Sequence, residues 1–134
     1  WLYIIEAEQN PEQAKANLQQ RYLRDRSEEW GWVLVAIMLR DVSDEDALKA
    51  IMDGTRENYR LAERLTETYF YLGKRNQLEG DIASAISLYK LAISFNVYDY
   101  VEHRYSFLEL AQIYDQLQQD RLAKLKAAKK QEIE

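Results

Sequence analysis

Apolar positions recur at spacings of three and four along most of this chain, the period of helices that each bury one face. The opening run Trp1-Leu2-Tyr3-Ile4-Ile5 has no capping residue before it and reads as the tail of an interrupted helix. Asn10-Pro11-Glu12-Gln13 then supplies an N-cap, a proline at the first helical position and a nearby carboxylate. The helix they start is expected to run to about Arg24, with Ala14, Leu18 and Tyr22 on one face. A third helix is predicted from about Glu28 to Leu39, carrying Trp30, Val33, Leu34, Ile37 and Met38 at helical spacing. Ser43 followed by Asp46 resembles a capping box with the shorter acid, and opens a short fourth helix that stops near Gly54. The fifth, from about Glu57 to Leu78, lines up Leu61, Leu65, Tyr69, Leu72 and Asn76. Gly80 breaks it and Asp81 caps a sixth helix with the stripe Ile82, Ala85, Ile86, Tyr89, Ala92 and Ile93. Asp99 is read as the cap of a seventh, whose face is Phe107, Leu110, Ala111, Tyr114 and Leu117. Leu122 and Leu125 continue that stripe among Lys124, Lys126, Lys129 and Lys130, so the helix extends into a tail over 115–134, fraying near its end.

The fifth and sixth helices carry a longer-range pattern. Tyr69, Leu72-Gly73, Asn76, Ala85, Tyr89 and Val97 fall on the positions of a 34-residue tetratricopeptide (TPR) repeat over 66–99, with Asn76 in place of an aromatic and Val97 in place of the closing proline. The fold class expected is therefore all-α, a TPR-like superhelix of helical hairpins with about seven helices, one clear TPR and flanking non-TPR helices. Such repeats bind proteins along a concave wall lined by the first helix of each pair. On the fifth helix the packing stripe leaves Glu67, Phe70, Lys74 and Gln77 on another face, and these are the expected groove residues. Phe70 would anchor, Glu67 and Lys74 would select by charge, and Gln77 would hydrogen-bond adaptably. Val101, Arg104 and Leu108 on the seventh helix are expected to extend the wall. The competing reading, that Phe70 packs under a neighbouring helix, stays open. In Trp30-Gly31-Trp32, Trp30 belongs to the apolar stripe, whereas Trp32 points elsewhere and is the candidate for a contact surface.

Composition narrows the picture. At 134 residues the chain is a single domain, and four glycines and one proline leave little turn material for a β-rich fold. A net charge of -5 argues against a general nucleic-acid binder. No apolar run approaches the ~20 residues that span a bilayer, and no signal-peptide pattern is present. Zero cysteines remove thiol chemistry, and the single His103 gives no zinc spacing, so a packing or binding role is expected for it. Asp41, Asp44, Glu45 and Asp46 lack the glycine and final glutamate of an EF-hand and are read as helix-capping acids. No cofactor, metal or catalytic residue is expected. One good repeat, where about three are needed to bury repeat faces, together with the uncapped start, suggests a piece of a longer protein.

Several strings add a more specific likeness: Trp1-Leu2-Tyr3, Glu29-Trp30-Gly31-Trp32, Leu61-Ala62-Glu63 with Glu67-Thr68, Phe70-Tyr71-Leu72-Gly73-Lys74, Gly80-Asp81, Lys90-Leu91-Ala92 and Val101-Glu102-His103-Arg104-Tyr105. In order and spacing, from Trp1 to about Leu110, they resemble the C-terminal half of the NlpI-like outer-membrane TPR lipoproteins of Gram-negative bacteria. The Ala- and Lys-rich end after Tyr114 departs from that family. The resemblance implies a non-enzymatic adaptor in the periplasm, held to the outer membrane by a lipidated cysteine in an absent N-terminal part. It further implies homodimerisation and the bringing together of peptidoglycan endopeptidases and a tail-specific, Prc-like protease. A generic cytoplasmic TPR peptide-binding module is the alternative that the repeat alone supports, and an enzyme is a third.

Overall fold

The computed structural model describes residues 1–133 and contains, among them, seven helices and no strand. They are α1 (Leu2–Gln9), α2 (Pro11–Asp25), α3 (Trp30–Met38), α4 (Asp44–Gly54), α5 (Asn58–Leu78), α6 (Ile82–Ser94) and α7 (Val101–Ile133). Local chemistry sets three of the starts. The Asn10 side chain accepts from the Gln13 amide at 3.1 Å, Ser43 from Asp46 at 3.1 Å and Asp81 from Ser84 at 3.1 Å, each satisfying an amide that the first turn leaves without a partner. Ser43 also donates to the Asp46 carboxylate at 2.7 Å, so its role is capping. The seventh helix departs from expectation: it begins at Val101, and the residue before it is Tyr100, whose carbonyl receives the Arg104 amide, rather than Asp99. Three of the stops share one device. Arg40, Gly80 and Asn96 follow the ends of α3, α5 and α6 with φ of 57°, 86° and 57°. The amides of Asp41 and Asp81 reach back to Ala36 and Asn76, both at 2.9 Å, closing the left-handed turns.

The longest fully packed helix is α5, and it is enclosed on nearly its whole circumference. Leu72, Gly73, Lys74 and Arg75 are all buried, and four consecutive helical residues point in almost every direction around the axis. On one side Phe70 packs with Ile4, Ala85, Tyr89, Ala92, Leu110 and Ile113, joining α1, α6 and α7. On another side Leu72 meets Ile37 and Ala47 of α3 and α4. The α5–α6 hairpin is the tightest pairing. A Cβ added at Gly73 would stand 2.8 Å from Cε1 of Tyr89, a ring with no exposure, beside the equally buried Ala85. Glycine in a helix interior costs about 1 kcal/mol against alanine, and the ring takes the space it frees. The Tyr89 hydroxyl donates to Gln77 at 2.6 Å, and burial raises its pKa further above the usual tyrosine range than the nearby Glu109 charge does.

Charged side chains fasten α3, α4 and α7 to α5. Arg75, 3% exposed, donates from Nη1 to the Ile37 carbonyl at 2.7 Å and from Nη2 to Asp44 at 2.6 Å. It thereby closes the C-terminal end of α3 and the N-terminal end of α4 together, with a cation placed where α3 has its negative end. Lys74 forms a buried ion pair with Glu109 of α7. Along α7, His103, Ser106, Leu110 and Ile113 face inward, while Phe107, Tyr114 and Leu117 of the expected stripe are about half exposed. Positions 114–131 are all exposed, so the helix continues about 25 Å past its packed part.

Gly73→Ala is expected to lower stability by about 1–3 kcal/mol despite alanine's better helix propensity, because the Tyr89 ring must move within a filled core; urea unfolding checks it. Lys74→Met, which leaves Glu109 buried without its cation, is expected to cost about 3 kcal/mol or more, and adding Glu109→Leu should recover most of that loss in the same assay.

Candidate interaction site

The residues expected to form one groove wall are placed in different surroundings. Phe70 has no exposure and its ring lies 5.4 Å from Trp1, 5.2 Å from Tyr71 and 5.9 Å from Tyr89. Lys74 is 6% exposed and held by Glu109. Neither lies on an open surface in this chain, because α6, α7 and α1 close over that face of α5; the open-groove expectation for them is corrected. Substitutions at Phe70 or Lys74 therefore test folding, not capture. Gln77 is half-buried as the acceptor for Tyr89 and borders a separate groove with Ile82, Ile113 and Leu117. Val101, Arg104 and Leu108 are exposed along one side of α7, with the Arg104 Nε donating to the Tyr98 carbonyl at 3.4 Å. Trp32 is half-buried, its ring tilted against Tyr22 at 6.2 Å. Trp30 is also only partly buried. His103 is 4% exposed, set edge-on between the rings of Tyr98 and Phe107 at 5.1 and 5.4 Å.

Glu67 is the expected residue that reaches a recess. About 370 Å³ of open volume lies among Trp1, Tyr3 and Ile4 of the α1 end, Leu18 of α2, Gly31, Leu34, Val35 and Met38 of α3, Glu67 and Tyr71 of α5 and Glu102 of α7. The helical period explains this convergence. Glu67 and Tyr71 are four apart and project from one side of α5, and Leu34, Val35 and Met38 project from α3 toward them. Gly31, one of the lining residues, has nothing within 4 Å of a Cβ position and so leaves space there. Aliphatic and aromatic side chains thus share the lining with two carboxylates.

Glu67 accepts a 2.6 Å hydrogen bond from the Trp30 indole, and the Arg64 guanidinium lies over that same indole, 4.9 Å from its centroid. Burial nevertheless raises the Glu67 pKa above the ordinary carboxyl range, with Glu102 and Glu63 adding to the rise and the Trp30 bond and Arg64 opposing it. Glu102, 8% exposed, accepts from the Tyr71 hydroxyl at 3.4 Å. Burial first, then the charges of Glu102 and Glu67, push the Tyr71 hydroxyl well above its usual range, so it stays a neutral donor. Next to the recess Tyr100 is pushed up to about 12 by burial and by Glu63.

Tyr71, Glu102 and Val35 were not among the expected site residues. Tyr71 carried a signal, being four residues beyond Glu67 on the same helix. Glu102 carried none, because its approach to Glu67 depends on how α7 returns across α5. Among the described residues no group of three or more His, Cys, Asp or Glu could hold a metal ion, and no helix is long and apolar enough to cross a membrane. No protein-family model matches the chain.

A carboxyl whose pKa is raised by folding stabilises the fold when protonated; that contribution is complete below the unfolded carboxyl value and is lost as pH rises through the folded one. Ionised Glu67 is therefore a net cost at neutral pH. Glu67→Gln keeps an acceptor for Trp30 and removes the charge. Its urea midpoint is expected to match or exceed the parent's near pH 7, with the advantage vanishing toward about pH 4, where the parent carboxyl is neutral.

Proposed function

We propose that this chain is a non-enzymatic protein-interaction scaffold built on TPR-like helical hairpins, with the repeat over 66–99 at its centre. The observation that carries the reading is the recess. Its wall is drawn from α1, α3, α5 and α7, every second helix, with Leu18 alone from a helix between them. Helix-pair repeats form their concave binding wall in this way, from the first helix of each pair. The close Gly73–Tyr89 packing, with Ala85 buried alongside, supports the same reading, since the repeat pattern puts small residues where its two helices touch.

The sequence strings that resemble those of NlpI-like lipoproteins support a narrower version. In it the parent protein is an envelope adaptor, anchored at the outer membrane by a lipid in an N-terminal part, that brings peptidoglycan endopeptidases to a tail-specific protease. Glu67, Tyr71 and Glu102 then belong to the capturing wall, and the exposed side of α7 with Val101, Arg104 and Leu108 is free to widen it. Purified full-length parent, used as bait for a periplasmic extract, is expected to retain a cell-wall endopeptidase or the protease. Retention of neither, where an established NlpI-family adaptor retains both, would overturn the envelope version.

A further inference from the structure

We infer that the recess takes a lysine or arginine side chain presented by an otherwise apolar segment of a partner protein. The inference rests on the scaffold reading and adds to it the chemistry of what is held. Glu67 and Glu102 both line the recess, and no lysine, arginine or histidine side chain lines it. Among the described residues neither carboxylate has an ion-pair partner. Glu102 is more than nine-tenths buried, and the hydrogen bond its carboxylate accepts, from Tyr71, is a long one at 3.4 Å. A buried carboxylate that is weakly bonded and faces a second one is an arrangement that an incoming cation relieves.

The walls decide which cation. Ile4, Leu18, Leu34, Val35 and Met38 offer an apolar sleeve of the kind that the methylene stem of lysine or arginine covers while its head meets oxygen. A bare divalent ion is disfavoured, since it asks for six or more oxygens at short range, and the described residues assemble no such set. The protein already uses the proposed chemistry on the other flank of the same residues. There Arg64 lies over the Trp30 ring, whose indole holds Glu67. In the recess Tyr71 and Trp1 supply aromatic walls beside Glu102, and the corresponding cation is to come from outside.

The test is calorimetric titration of the full chain with three capped peptides, Gly-Leu-Xaa-Leu-Gly, in which Xaa is lysine, norleucine or glutamate. The lysine peptide is expected to bind saturably and ~10-fold or more tighter than the norleucine peptide, with the glutamate peptide weakest. Glu67→Gln combined with Glu102→Gln should remove the preference for lysine while keeping the parent's circular dichroism. Equal binding of lysine and norleucine, no saturable binding of lysine, or a preference that survives in the folded double variant would each overturn the inference. The two readings fail separately. A double variant, made in the full-length parent, that still retains the endopeptidase or protease would sink the basic-side-chain inference and leave the scaffold standing, whereas a parent that retains neither removes the envelope version itself.

Discussion

The structure depends on how closely α6 can lie against α5. With Gly73 under the Tyr89 ring, the hairpin closes to van der Waals contact, and Phe70, Ala85 and Ala92 complete a core with little room for adjustment. That closeness lets α7 reach over both helices. Leu110 and Ile113 enter the same core, and Glu109 is brought to Lys74. The rest of α5 is then free to serve α3 and α4, through Leu72 and Arg75. A bulkier residue at position 73 would thus act on more than one pair of helices, since α7's docking and the carboxylate it delivers to the recess both follow from the same approach.

Helix identity was legible in the sequence because its causes are local. Asn10, Ser43 and Asp81 each bond an amide three residues on, and Gly80 takes the left-handed turn that a periodic pattern can foresee. The equivalent turns at Arg40 and Asn96 gave weaker signals, because an arginine does not announce positive φ and an asparagine does so only modestly. The burial of Phe70 and Lys74 is not legible in the sequence for a different reason. One apolar stripe marks a core face of α5 and leaves Glu67, Phe70, Lys74 and Gln77 on another face, which the period alone cannot tell from an open groove. An enclosed helix buries several faces at once, and whether Phe70 meets water is decided by α6, α7 and the Trp1 ring, all distant from it along the chain. Lys74 shows the same limit more sharply: nothing near it in sequence marks the charge as buried, and its partner is Glu109.

The buried charges also separate into two kinds, and the difference bears on function. Lys74 meets Glu109, and Arg75 meets Asp44 and the Ile37 carbonyl; these charges fix helix positions and are paired within the chain. Losing either partner strands the other, so they are constraints on folding. Glu67 and Glu102 differ. Each is bonded to an aromatic donor, Trp30 or Tyr71, and neither has an ion-pair partner among the described residues. An indole or phenol hydrogen bond offsets only part of the cost of burying a carboxylate, as the raised Glu67 pKa records. A protein interior that elsewhere pairs its charges leaves these two facing an open apolar recess. On the scaffold reading proposed above, this asymmetry separates a binding wall from a packed interface: the interface has spent its electrostatic complementarity internally, and the proposed wall keeps some for a partner.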